Sequence, residues 1–240
     1  MFASPLFRLS IPPKIVVSGG GPADTVNDSF LQAYWRLDEA SGTRADTKGS
    51  NNLTDSGATG NTSGVISNAA NFAGSTALYC LDNASLSIGS TDWSFSVWFK
   101  LTNISGVNGI AGKGQGLEWA LWVNGTTLNY THANGGGANG NIAWGTAVAA
   151  NTLYHVIIDY DNTNLIKTMT VNGGTPVTGV FNIQASDSTS AFVIGSGTST
   201  ASSWNVIGFI DEVLFTKRLL TSTEKSALYN SGAGARPAGL

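Results

Sequence analysis

From Phe30 onward the chain is written in short runs of alternating apolar and polar residues, cut every few positions by Gly, Asn, Asp or Ser. That period of two, without helix-length periodicity to interrupt it, restricts the chain to antiparallel sheets. In residues 93–101, Trp93, Phe95, Val97, Phe99 and Leu101 share one side, and Ser94, Ser96, Trp98 and Lys100 share the other. The pattern predicts one face in a core and one in water. Residues 154–160 repeat it with Tyr154, Val156, Ile158 and Tyr160, and residues 119–123 and 167–171 supply two more strands. Asn172-Gly173 reads as a hairpin turn. Residues 208–215 are apolar on both sides apart from Asp211 and Glu212, which predicts a central covered strand. One helix is expected: Thr221 and Glu224 form a capping box, Ala227, Leu228 and Tyr229 make an apolar stripe, and Gly232 is the stop.

The fold class that follows is all-β: a two-sheet antiparallel sandwich with one short C-terminal helix and an extended N-terminal arm. The length of 240 residues suits one large sandwich, and seven Trp among 42% hydrophobic residues are ample for its core. Charged residues make up only 11%, against about 25% in an average domain, so the surface must be wetted by Ser, Thr, Asn and Gly. A net charge of −3 and no cluster of Lys and Arg leave no footprint for nucleic acid. No apolar run approaches the roughly 20 residues of a membrane span, so membrane insertion is not expected. Cys80 is the single cysteine. It cannot form an intramolecular disulfide and reads as a small buried hydrophobe.

Residues 1–28 form the arm: Phe2, Leu6, Phe7, Leu9, Ile11, Ile15 and Val16 beside Pro12-Pro13, followed by a Gly-rich linker. Arg8 within the apolar part breaks the order of a secretion signal. Such a segment suits burial against a partner, which predicts a homo-oligomer or assembly with other proteins. Residues 29–235 are expected to be the sandwich and 236–240 a tail.

Catalytic chemistry is looked for in vain. Glycoside hydrolysis needs two carboxyl groups set at a working distance, normally on one strand. Glu118 stands alone in its strand, and Glu39 and Glu224 sit in a turn and a helix start, so each reads as a solvated or capping acid. Gly-x-Ser-x-Gly is absent, His132 and His155 are too few for a metal centre, and Gly112-Lys113 lacks the rest of a phosphate loop. Residues 135–140 match a dinucleotide pattern in form, but no helix follows them. Ligand platforms are sought among rings that fall off the clear core face or in loops: Trp98, Trp122, Trp144 and Trp204, with Asn124, Asn139 and Asn141 as amide partners. The competing reading makes most of these rings core or inter-chain contacts. Asp211, in an apolar strand, must either accept backbone N–H bonds from a turn or meet a cation.

Taken in order, residues 33–42, Asp46 with 51–54, Gly64 with 69–74, 95–99, 154–161, 171–173 and above all 208–229 resemble a laminin G-like jelly roll of the concanavalin A-like lectin/glucanase superfamily, over about residues 33–232. Tyr154 stands where the family usually carries Trp. The resemblance implies two facing curved sheets and a module that binds sugars, proteins or polymers, and it does not by itself imply an activity. It also implies a structural calcium between Asp211 and the loop after the first strand, around Asp46, with Asp38 a weaker third ligand. Virion components of bacteriophages include stand-alone modules of this kind that need no export signal. The expectation is therefore a non-enzymatic virion surface or decoration protein, anchored by its arm to itself and other virion proteins and displaying the sandwich for assembly or host-surface glycans. The alternative is a secreted, extracellular bacterial carbohydrate-binding module, and a glycosidase is a distant third.

Overall fold

The computed structural model describes residues 25–114, 118–134, 139–181, 184, 186–197 and 201–240. Within them the strands form two antiparallel sheets. The first runs β13 (Val177–Val180), β12 (Ile166–Val171), β11 (Leu153–Asp161), β6 (Trp93–Leu101), β15 (Ile207–Thr216), β4 (Asn68–Ala73), β3 (Gly60–Ser63), with β1 (Leu31–Trp35) also on β15. The second runs β10 (Asn139–Ala143), β9 (Thr127–Ala133), β8 (Trp119–Asn124), β7 (Val107–Lys113), β14 (Phe192–Ile194), β5 (Ala77–Cys80), β2 (Thr54–Ser56). This is the sandwich that the alternation predicts.

The alternating residues meet between the sheets. Trp93, Phe95, Val97 and Phe99 of β6 and Val156, Ile158 and Tyr160 of β11 face Trp119, Leu121 and Val123 of β8 and Leu128 and Tyr130 of β9. Trp35 stacks on Phe192 at 5.1 Å, and Trp93 packs on Trp119 at 5.2 Å. Burying each such ring contributes about 2–3 kcal/mol, which makes this layer the main source of stability. Cys80 belongs to the same cluster.

β15 holds the first sheet together because it serves two partners on one side. Its first half pairs with β4 and its second half with β1, and a register shift separates them between Asp211 and Leu214. Glu212 sits in that bulge at φ 49°, a left-handed conformation seldom taken by a residue with a side chain. The hairpin after β12 is the expected one, with Asn172 and Gly173 both at positive φ.

Three expectations need correction. The second face of β6 is not wet: Ser94, Ser96 and Trp98 are buried, because the helix α1 (Ser222–Tyr229) and both ends of the described chain fold back over it. Val26, Leu31, Tyr34, Ile157, Leu214 and Leu228 form a second apolar cluster there, with Leu240 packed against it. Accordingly, residues 25–28 and 236–240 belong to the folded body: Asn27 Nδ2 donates to the Ala238 carbonyl at 2.8 Å, and Arg236 pairs with Glu212 and Asp38. Residues 1–24 of the expected arm lie outside the described residues. Finally, α1 opens with the predicted Thr221–Glu224 capping box but ends at Asn230, left-handed at φ 45°, before Gly232 is reached. No helix among the described residues is long and apolar enough to cross a membrane.

Candidate binding face

The outward face of the second sheet is built by simple alternation. Trp119, Leu121 and Val123 point to the core, so Ala120, Trp122 and Asn124 point away from it. Pairing then sets Asn129 beside Trp122 and Thr131 beside Ala120 on β9, and Asn141 beside Thr131 on β10. The side chains form a directed chain. Trp122 Nε1 donates to Thr131 Oγ1 at 2.9 Å, Thr131 Oγ1 donates to Asn141 Oδ1 at 3.2 Å, and Asn141 Nδ2 donates to Asn129 Oδ1 at 2.9 Å. Asn129 Nδ2 closes it on the Thr127 carbonyl at 2.9 Å. Each donor thus fixes the orientation of the next group.

A second tryptophan arrives from a distant loop. Gly109 of β7 pairs with Trp122, and a Cβ there would lie 2.9 Å from the Ser196 carbonyl carbon. The glycine lets Ser196 and Gly197 lie directly against the strand, where the Gly109 N–H donates to the Trp204 carbonyl at 2.7 Å. The Ser196 hydroxyl lies 2.8 Å from the Ser203 carbonyl and 2.9 Å from Asn205 Oδ1, and Asn205 Nδ2 donates to the Ala201 carbonyl. Trp204 is held at φ 55° and stacks on Trp122 with ring centroids 5.3 Å apart. Both rings are partly exposed. A bulky residue in this conformation carries strain of order 1–3 kcal/mol, the kind of local expense that clusters at ligand sites.

The other sequence candidates part company. Trp98 is 3% exposed and stacks on His155 at 4.5 Å and on Tyr229 at 5.8 Å, so α1 seals it against the first sheet. Trp144 packs edge-on against Tyr154 at 5.8 Å and borders the core. Asn124 is exposed at the end of β8, two residues beyond Trp122. Asn139 pairs with Ala133 in the sheet, and its side chain lies outside the described residues. Asn129 and Thr131 were missed, although alternation along β9 would have found them. His132 is on that strand and not in a loop; it is fully buried, and burial holds its imidazole down to about 3.

Asp46 and Asp211 do not offer calcium a common cage. Asp46 Oδ1 accepts the N–H groups of Tyr34, Lys48 and Gly49, and Oδ2 accepts those of Asn51 and its side chain. Asp211 Oδ2 accepts from Val65 at 2.7 Å and Oδ1 from Glu212 at 2.9 Å. Asp38 is tied to Arg236 and to the Asn68 N–H. Calcium needs six to eight free oxygen lone-pair donors, whereas these carboxylates are already engaged as acceptors, which is the other reading of Asp211. Among the described residues no three or more His, Cys, Asp or Glu gather in a metal-binding group.

Glu118 is also not the solvated acid that it resembles in sequence. It is fully buried, with Oε1 2.8 Å from Lys113 Nζ and accepting the Ser188 N–H at 2.6 Å. Lys113 Nζ lies a further 2.9 Å from Asp82 and 3.3 Å from Asp187. Burial first, then a hydrogen bond with Asp187, pushes the Glu118 carboxyl up to about 8, while that bond holds Asp187 at about 2. Both carboxyl groups are tied to the same buried Lys113, so the cluster joins separate elements of the fold. A cleft of about 240 Å³ on the opposite side of the molecule, between β12 and α1, is lined by His155, Ile157, Thr170, Ser222, Lys225 and Ser226. Its ammonium is neutralised by Asp159 at 2.6 Å.

A sandwich of these sheets, with paired aromatic rings and amides on an open sheet face, defines a lectin-like binding domain. Residues 72–224 match the laminin G-type profile of the concanavalin A-like lectin/glucanases superfamily, and the chain belongs to that family. Among solved structures it is similar to the binding domain of Paraclostridial Mosquitocidal Protein 1, with a TM-score of 0.71 and 16% identity over 84% of this chain and 52% of that one. It is similar also to the botulinum neurotoxin serotype D binding domain, with a TM-score of 0.65 and 15% identity over 86% and 52%. The serotype D ligand-binding domain in complex with N-acetylneuraminic acid gives a TM-score of 0.66 and 14% identity over 88% and 52%. The chain thus spans about half the length of these structures, and at such identity the likeness is one of fold. No curated protein matches the sequence significantly.

Proposed function

We propose that this chain is a non-catalytic, lectin-like module that binds surface glycans through the outward face of β7, β8, β9 and β10. The observation that carries the reading is the partly exposed Trp122–Trp204 stack beside the Thr131–Asn141–Asn129 chain. Apolar ring faces next to oriented amides match the two sides of a sugar, its C–H face and its hydroxyl edge. A structural neighbour solved with a bound sugar supports the idea that the fold can serve this purpose, by analogy only. Glu118 and Asp187 are both engaged with Lys113, which supports the non-catalytic part.

Two settings suit such a module: a bacteriophage virion surface, with the chain assembled on itself or on other virion proteins, or secretion as a carbohydrate-binding module. Either would present the same face to a cell surface. A glycan array probed with the full chain tests the function. Parent protein should bind a defined subset, and Trp204→Ala and Trp122→Ala should each weaken that binding about tenfold or more, since loss of a stacked ring removes on the order of 1–1.5 kcal/mol. Binding that survives both substitutions would overturn the placement of the site.

A further inference from the structure

Resting on that reading, we infer that the face is built for neutral glycans and rejects acidic ones such as sialylated, uronate-containing or sulfated chains. The argument is one of charge. From Trp119 to Ile158 the chain contains no Asp, Glu, Lys or Arg, and from Ser188 to Ile210 it contains none either. These are the segments that supply β8, β9, β10 and the loop carrying Trp204. β7 has a single charged residue, Lys113, whose side chain is fully buried among Asp82, Glu118 and Asp187. His132 and His155 are buried as well. Every group that a ligand can meet on the described part of the face is therefore an indole, an amide, a hydroxyl or a methyl.

A carboxylate or sulfate brought to such a surface would lose hydration and gain no cation in return, which disfavours it. A neutral pyranose suffers no such loss. Asn141 is exposed, and its amide uses one N–H on Asn129 and one carbonyl lone pair on Thr131. One donor and one acceptor remain, enough to pair with two hydroxyl groups of a sugar. The two indoles lie on each other at 5.3 Å and so make one platform, not two separated ones. That geometry anchors a single sugar ring, so useful avidity must come from several copies on a repetitive surface.

The test uses the full chain against neutral polysaccharides and acidic glycans, at about 0.1 M and about 1 M salt, over which the screening length falls from about 10 Å to about 3 Å. The expected result is binding to neutral glycans only, changed less than about twofold by salt, flat between about pH 5 and pH 8, and lost in Trp204→Ala. Ala143→Lys, which places a cation on an exposed position beside Asn129, should add salt-sensitive binding to acidic glycans that the parent lacks. This gain cannot arise from misfolding. Parent binding to acidic glycans that is weakened by salt and abolished by Trp204→Ala would overturn the neutral preference while leaving the platform standing. Binding of either class that ignores Trp204 and Trp122 would overturn the platform itself, and no binding to either class would remove both.

Discussion

The two outward faces of the sandwich are made by the same alternation and end in opposite conditions. On the first sheet the face is covered and ionised. Trp98, His155 and Tyr229 pack pairwise on one another, Asp159 accepts from Ser94 and Lys225, and Glu212 bonds Tyr34 and Arg236. On the second sheet the face carries two partly exposed indoles and a chain of amides and hydroxyls without any charge. On the first face charge thus fastens α1 and the chain ends, and the described outward face of β7, β8, β9 and β10 carries none. On the proposed function, the comparison separates the tryptophan that packs, Trp98, from those assigned to binding, Trp122 and Trp204.

Exchanging the two kinds of tryptophan is the most forceful way to break it. Trp98→Ala removes a 3% exposed ring that packs on both His155 and Tyr229, and should cost about 3–5 kcal/mol in urea unfolding while glycan binding by the folded fraction is kept. Trp204→Ala should do the reverse. Its ring is partly exposed and its backbone left-handed, so stability should change by less than about 1 kcal/mol while binding falls. Equal destabilisation by the two substitutions would mean that Trp204 is merely another packing residue.

A smaller effect is expected from the polar fastening. Asp159 is buried at 4% exposure, accepts from Ser94 at 2.6 Å and from Lys225 at 2.6 Å, and so joins β6, β11 and α1. Asp159→Ala should cost about 1–3 kcal/mol, because the Ser94 O–H loses its acceptor under the helix while its oxygen keeps the Leu220 N–H. Lys225, one-fifth exposed, can turn to water. Glycan binding should be unaffected, since the substitution touches only the covered face. A change in binding would show that the two faces are coupled through the core.

Much of this was legible from single strands and little of it from pairs of them. Alternation placed the core of β6, β8 and β11 correctly, set Trp122 outward and identified β15 as central. It also set Trp98 outward, and there it misled, because a period of two says which side a ring takes and nothing about what later covers that side. α1, encoded more than a hundred residues downstream, decides the matter. Trp204 meets Trp122 only because Gly109 admits a loop across β7, a contact between three separate segments. Asn129 and Thr131 were readable in principle from the alternation of β9, with Leu128 and Tyr130 in the core. Glu118 looked solvated because its partners, Asp82, Lys113 and Asp187, come from different elements. Asp211 was narrowed to two roles by its apolar strand, and its hydrogen bond from the Val65 N–H is the contact that the first of them calls for.

The two faces should also differ in their response to acid, through His155. Burial holds its imidazole down to about 3, below the ordinary value near 6.5. The folded state therefore needs the neutral ring, while the unfolded chain takes up a proton at its ordinary pKa. The contribution of His155 is complete above about pH 6.5 and is lost as pH falls from there towards 3. In His155→Phe, which keeps a ring against Trp98 and Tyr229 but forgoes the 2.8 Å contact with Ser96, the melting temperature should fall below the parent's at pH 8. The gap should narrow or reverse by pH 5. A gap of constant size would show that His155 is not held neutral by its burial.

The smallest effect is expected from chelation, and it bears on whether the covered side is fastened by protons or by metal. The carboxylate of Asp46 accepts five N–H groups, from Tyr34, Lys48 and Gly49 and twice from Asn51. Gly49 explains the closeness of that turn, since a Cβ there would stand 2.8 Å from Asp46 Oδ2. Asp211 is held in the same way by Val65 and Glu212, beside Gly64, where a Cβ would stand 2.4 Å from its Oδ2. Both turns are thus closed by hydrogen bonds that a cation would have to displace, so chelator should shift the melting temperature by no more than about 1 °C, and added calcium likewise, because a ligand stabilises only through binding to the folded state. A drop of several degrees with chelator, restored by calcium and absent in Asp211→Asn, would show that these carboxylates exchange their N–H partners for a metal. The covered face would then be fastened as the family resemblance implies.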